Sequence, residues 1–242
     1  MPALICRTTK LLPPIEGVER VDRGGHRFYK TPKGTFPSVT TILSSGDKSF
    51  LDDWSNRIGK DNAKRITRAS ANRGTQVHLM AENFLRGLNP QTKDKDTKFF
   101  LPLSVSLFNQ IKPQLEKIDE ILCLESFLYN EFLGLAGTVD CIGNYDGVLS
   151  TIDFKTARSL KEADHILDYF MQVTAYTLMA KSCYNILPKQ CVIIIAVENQ
   201  PKPQVFKVRP EKYAKPLIER LTAYKNNNGE KYDSTEARSA NP

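Results

Sequence analysis

From Leu133 to Ala157 the chain reads LGLAGTVDCIGNYDGVLSTIDFKTA, a stretch that narrows the possible folds more than any other. Two runs rich in apolar and β-branched residues flank Asp146-Gly147, a pair suited to a tight hairpin turn. A turn there makes the runs neighbouring antiparallel strands. Asp140 closes the apolar run LAGTV and Asp153 closes LSTI, so both acids are expected side by side at strand ends. Burying a carboxylate is costly unless a cation or hydrogen bonds compensate it. Two buried carboxylates also repel and raise one another's pKa. A divalent cation removes both problems, and magnesium binds through one or two carboxylates together with substrate phosphate. Lys155, two residues past Asp153, shares its face of the strand. An ammonium there stabilises charge on a phosphate or orients an attacking water. The plainer alternative has the acids capping turns and Lys155 on the surface. Each residue alone fits that alternative; the three at hairpin spacing favour a site.

The rest of the chain supplies the frame. HRFYKTPKGTFP reads as a hairpin or extended arm turning at PKG. PSVTTIL starts a helix, with Pro37 in its first turn and Ser38 or Thr40 as cap. Phe50 to Leu85 is helical, broken at Arg73-Gly74, with Gly87 closing the second helix. Asn89 to Lys98 is a polar loop, and Leu103 to Ile118 is helical. EILCLESFLYN opens a three-strand meander that continues through the hairpin. An amphipathic helix (YFMQVTAYTLMAKSCYN), a buried strand (QCVIIIAVEN), an edge strand (PQVFKVRP) and a closing helix follow. This order predicts an α/β fold, a mixed central sheet flanked by helices with a helical N-terminal part. The expected divisions are an arm over 1–35, a helical part over 36–118, a core over 119–228 and a disordered tail over 229–242.

A net charge of +7 favours a polyanionic partner. The helical segment from Trp54 to Arg73 concentrates cations at Lys60, Lys64, Arg65, Arg68 and Arg73. These can follow a phosphate backbone while Trp54 or Phe50 stacks on a base; a solvated basic face with Trp54 in the core is the equal alternative. The five cysteines form no C-x-x-C pair, which points to reduced buried thiols rather than zinc or an iron–sulfur cluster. No apolar run approaches the roughly 20 residues of a membrane span. The N-terminal MPALICRTTKLLPPIEG is neither secretory in pattern nor Arg-rich and amphipathic. A cytoplasmic location is therefore expected, and a mitochondrial one is not supported.

The combination GTVD, IDFKT and QVTAY resembles the core of the PD-(D/E)XK nuclease superfamily, RecB-like branch. IDFKT matches the acid-x-Lys element, Asp140 the preceding acid, and Gln172 and Tyr176 the Gln-x-x-x-Tyr helix. RGTQVHLMAE resembles the branch's upstream Arg-Gly-x-x-x-His motif. Within the branch, FPSVTTIL, the Trp54 helix, His78 to Glu82 and VIIIAV resemble the mitochondrial genome maintenance exonucleases. The likeness runs over about residues 36 to 225. Together with the N-terminus, it suggests a bacterial cell or phage-infected host. It implies a magnesium- or manganese-dependent deoxyribonuclease that takes single-stranded DNA with a free end; a monomer is expected. It implies metal ligation by His78, Asp140, Asp153 and the Phe154 carbonyl, with Lys155 as the charge-stabilising group. Gln172 would support the site or contact DNA, and Tyr176 would belong to the DNA face. Glu125, on the strand before Asp140, is either a further ligand or a solvated strand residue. His78 is either a ligand or a structural histidine, and a nitrogen ligand tilts the choice towards manganese. Rival functions are a structure-specific or restriction-type endonuclease and a binding module without catalysis.

Overall fold

The computed structural model describes residues 10–46 and 49–228, and the side chains of 49–51 are excepted. Cys6, the Phe50 ring and the tail from 229 lie outside the described residues. The chain begins with an antiparallel sheet of β1 (Glu19–Arg23), β2 (His26–Thr31) and β3 (Gly34–Pro37). Four helices follow: α1 (Val39–Leu43), α2 (Ser49–Ile58), α3 (Lys60–Leu85) and α4 (Pro102–Leu115). The meander is β4 (Ile118–Asn130), β5 (Leu135–Tyr145) and β6 (Val148–Ala157). A 3₁₀ turn at Ala163–Ile166 leads into α5 (Leu167–Tyr184), then β7 (Gln190–Val197), β8 (Gln204–Val208) and α6 (Glu211–Asn228).

Strands β4 to β8 form one sheet in sequence order, with every pair antiparallel except β6 and β7. The parallel pair needs a crossover, and α5 provides it. β7 is buried on both faces, which explains its unbroken apolar run. Val192, Ile194 and Ala196 join Val77, Met80, Phe108 and Ile111 under α3 and α4. Cys191, Ile193, Ile195 and Val197 face the other way, with Phe170, Val173 and Tyr213 of α5 and α6. A neighbouring cluster packs Val39 and Ile42 of α1 with Met171, Ala175 and Leu217. The mixed sheet therefore lies between two helical layers. Among the described residues no helix is long and apolar enough to cross a membrane.

The arm is tied to this body. Tyr29 meets Phe127 edge-on at 4.6 Å between ring centres. Ser38 caps α1 by accepting from the Thr41 N–H at 2.9 Å, and Thr41 Oγ1 donates to the Arg27 carbonyl at 3.1 Å. Pro37 ends β3 instead of entering the helix.

Two boundaries and the burial of one helix differ from the sequence reading. The break in the basic helical region falls at Gly59, not at Arg73-Gly74. Gly59 has φ 86°, a left-handed conformation that glycine adopts at low cost. α3 instead runs straight through Gly74. A mid-helix glycine costs about 1 kcal/mol relative to alanine, and burial of Val77, Met80, Ala81 and Leu85 on the following turns outweighs it. Ile118 opens β4 rather than ending α4. α5 is buried around most of its girth, from Phe170 to Ala180, because α6 covers the side turned away from the sheet.

The four described cysteines are free thiols; Cys123, Cys141 and Cys191 are buried, and Cys183 is half-buried.

Candidate metal centre and its surroundings

The two acids sit in mid-strand, not at strand ends. β5 continues from Asp140 to Tyr145 and β6 from Asp153 to Ala157. The extra length of β6 comes from pairing with β7, since Phe154 to Ala157 lie opposite Ile194 to Val197. The β5–β6 ladder closes with Cys141 opposite Ile152, one step short of the two aspartates. At that step a side chain replaces the backbone partner: the Phe154 N–H donates to Asp140 Oδ2 at 2.7 Å.

β4 breaks its own ladder at the same level. Leu124 pairs with Cys141 and Ser126 with Val139, and Glu125 between them faces Asp140 without a ladder partner. Glu125 has φ 46°. A non-glycine residue held there costs about 1–3 kcal/mol and persists only where its surroundings fix it. Ser126 Oγ takes over the stranded backbone, accepting from the Leu124 N–H at 3.0 Å and donating to the Leu124 carbonyl at 3.2 Å. The kink makes both strands change faces. Leu124 and Cys141 belong to the core under α3, whereas Leu128 and Val139 belong to the core under α5.

α3 brings His78 to this point. Its Nδ1 lies 3.5 Å from Asp140 Oδ2 and 3.9 Å from Glu125 Oε1. His78, Glu125 and Asp140 each offer a ligand atom within 4.8 Å of the others, and they could hold a metal ion. Ligands at about 2.1 Å from one ion stand roughly 3–4 Å apart, so the spacing fits. One nitrogen and two carboxylates suit a first-row divalent metal. Among the described residues, buried Asp153 Oδ2 is engaged by the Lys155 ammonium alone. A metal ion there would share this carboxylate with Lys155.

The charges here depend on one another. Burial pulls the His78 pKa down, but the Asp140 and Glu125 carboxylates outweigh it and raise it to about 9. Burial raises Asp140, against the lowering effect of His78. Burial also raises Asp153 to about 6, although Lys155 opposes the shift. Lys155 Nζ donates to Asp153 Oδ1 at 2.6 Å. Desolvation disfavours its charge, yet Asp153 and Asp140 more than compensate and its pKa is raised. Protonated, His78 and Lys155 offset two of the three carboxylate charges.

α5 covers the other side of Lys155. The Tyr169 ring lies 5.3 Å from Lys155 Nζ, a cation–π contact. Sequence reading did not single out Tyr169; its signal was its position three residues before Gln172, on the same helix face. Gln172 is half-buried and donates to the Tyr176 hydroxyl at 3.4 Å. Tyr176, expected on a DNA face, is buried instead. A Cβ on Gly137 would stand 2.9 Å from its Cε1, so the glycine of GTVD makes room for the tyrosine of QVTAY. Burial raises the pKa of this phenol, and it stays protonated.

Lys60, Lys64, Arg65 and Arg68 are exposed along α3, and Trp54 is half-buried on α2. Arg73 is different. Its guanidinium is buried and pairs with Glu198 at 2.7 Å, so that charge is spent inside the fold. Glu198 was likewise unforeseen, because the pair joins residues far apart in sequence. Glu82 pairs with Arg86 one turn on and takes no part in the cluster.

No family model matches the chain. It is similar to Mitochondrial genome maintenance exonuclease 1 of Xenopus tropicalis, 27% identical over 179 residues, and of Homo sapiens, 27% identical over 180 residues. These alignments cover 69% and 67% of this chain, but 50% and 51% of the relatives. The chain thus spans about half the length of the curated relatives it matches. The Mus musculus protein of the same name is 26% identical over 181 residues. A solved structure described as SSO0001 overlaps 84% of each chain at a TM-score of 0.41 and 16% identity. The curated similarities support a nuclease-like relationship.

Proposed function

We propose that this chain is a metal-dependent DNA exonuclease of PD-(D/E)XK type that hydrolyses phosphodiester bonds in single strands with a free end. The observation that carries the reading is the convergence of His78, Glu125 and Asp140 beside the Asp153–Lys155 pair. His78, Asp140, Asp153 and the Phe154 carbonyl are the proposed ligands, with Glu125 as a further one. A bound magnesium or manganese ion supplies Lewis-acid chemistry, lowering the pKa of its water and neutralising the scissile phosphate. Lys155 holds an ammonium where negative charge builds on that phosphate. Tyr169 and Asp153 keep it there, and Gln172 lines the approach. The exposed Lys60, Lys64, Arg65 and Arg68 provide a track for the strand backbone, with Trp54 beside it. The relatives named as exonucleases support the same reading.

The test uses an end-labelled linear single strand, the same sequence closed into a circle, and a blunt duplex. Each is incubated with magnesium, manganese or EDTA. Digestion of the linear strand alone, abolished by EDTA, is expected. Equal digestion of the circle would move the assignment to an endonuclease of the same superfamily.

A further inference from the structure

We propose that a hollow between α3 and the end of β6 is a phosphate-binding subsite for one nucleotide of the bound strand. Its wall is one face of α3, formed by Arg65, Ile66, Ala69, Ser70 and Arg73, and Arg158 closes the opposite side. The α3 spacing of one, four, five and eight residues from Arg65 places these side chains on one helical stripe. The hollow is about 150 Å³. At roughly 30 Å³ per water, that is room for about five waters, enough for a phosphate and part of its sugar.

The chemistry of the lining selects an anion. Three arginines line the hollow; Glu198 neutralises Arg73, and no acid among the described residues pairs with Arg65 or Arg158. Arg73 Nε is buried and lacks a hydrogen-bond partner among the described residues. Arg65 and Arg158 are exposed at the rim. Guanidinium forks match phosphate oxygens in pairs. Ile66 and Ala69 give an apolar floor against which a deoxyribose can lie. The subsite is fixed relative to the His78–Glu125–Asp140 cluster at both walls. Arg73 precedes His78 on the same helix, and Arg158 follows Lys155 closely on the chain that leaves β6. Arg73 also rivets the walls together, because Glu198 begins the segment after β7 and its N–H donates to the Ala157 carbonyl at 3.0 Å. A phosphate held here would set the register of the strand running to Lys155. This role rests on the nucleic-acid substrate inferred above.

The test measures binding of a fluorescent single-stranded oligonucleotide in EDTA across a salt series. The variants are Arg65→Ala, Arg158→Ala, the double variant and Lys215→Ala as a distant control; Arg73 is left intact because it holds the fold. Matching circular dichroism melts exclude a folding defect. Each rim variant should bind roughly tenfold more weakly. The double variant should lose little more, because both arginines grip one phosphate. The log–log salt slope should fall only in the double variant, and by roughly 0.7, one single-strand phosphate. Repeating this with 5′-phosphorylated, 3′-phosphorylated and unphosphorylated strands separates a terminal phosphate, where the loss needs the modified end, from an internal phosphodiester, where it does not. Rim variants that match Lys215→Ala, or losses that multiply with a slope change of roughly 1.4, would overturn the shared subsite while leaving the nuclease reading intact. A wild-type protein that binds no strand would overturn both.

Discussion

The two halves of α3 are built from one continuous helix and behave as different objects. From Lys60 to Asn72 the only buried residue is Ala63, and the surface carries Lys60, Lys64, Arg65 and Arg68. From Arg73 to Leu85 the helix buries Arg73, Gln76, Val77, Met80, Ala81, Asn83 and Leu85. Gln76 and Asn83 even fasten the loop that follows, bonding the backbone at Phe99, Leu101, Pro90 and Thr92. The first half is held mainly by helix continuity and the second by α4 and the sheet. A rigid, buried half fixes His78 to the acids, and an exposed half leaves cations free for a polyanion. The contrast shows how one element can serve affinity and chemistry without trading one for the other.

The largest test of this contrast targets the chemical end. Asp140→Asn, Asp153→Asn and Lys155→Ala should each reduce cleavage by at least about 10²–10³-fold, with strand binding retained, in a gel assay paired with anisotropy. Wild-type rates in any one would remove that residue from the site. The next measures anchorage. Met80→Ala should cost about 2–5 kcal/mol by urea denaturation, as core truncations do, whereas Ile66→Ala on the outer half should cost less than about 1 kcal/mol. Similar losses would erase the distinction between the halves.

A third test uses pH. The folded pKa of His78, about 9, lies above its ordinary 6.5. Its charge therefore stabilises the metal-free fold fully below about pH 6.5, and this contribution fades as pH rises through about 9. Thermal melts in EDTA should fall over that window, and His78→Gln should flatten the fall. An unchanged profile in the variant would show that another group titrates there. On the outer half, Lys60→Ala, Lys64→Ala and Arg68→Ala should each lower the salt slope of binding by roughly 0.7 without moving the melting temperature. The smallest effect concerns the two glycines. Gly74→Ala should stabilise by about 0.5–1 kcal/mol. Its Cβ would meet Thr156 Oγ1 at an easy 3.9 Å. Gly59→Ala should destabilise by about 1 kcal/mol, because its backbone is left-handed. Reversal of either sign in denaturant titrations would place the helix break elsewhere.

Local pattern was enough for most of the elements. The Asp146-Gly147 turn, the apolar run of β7, the Ser38 cap and the Gly87 stop each act within a few residues, so their physics is written in short stretches of chain. The proximity of Asp140 to Asp153 followed from the hairpin alone, since antiparallel pairing fixes which residues meet. The length of β6 beyond Asp153 did not, because β7 sets it from far along the chain. The left-handed Glu125 carries no local signal, as its strain is sustained by Ser126, Asp140 and His78 together. Arg73 looked like one more surface cation until Glu198 was folded against it, and Tyr176 like an exposed aromatic until Gly137 proved to be its seat. Sequence by itself determined which residues could carry charge, turn or bury a face. Only the tertiary structure decided which of those charges are neutralised internally and which remain free, because burial and partnership depend on segments that meet across the sheet.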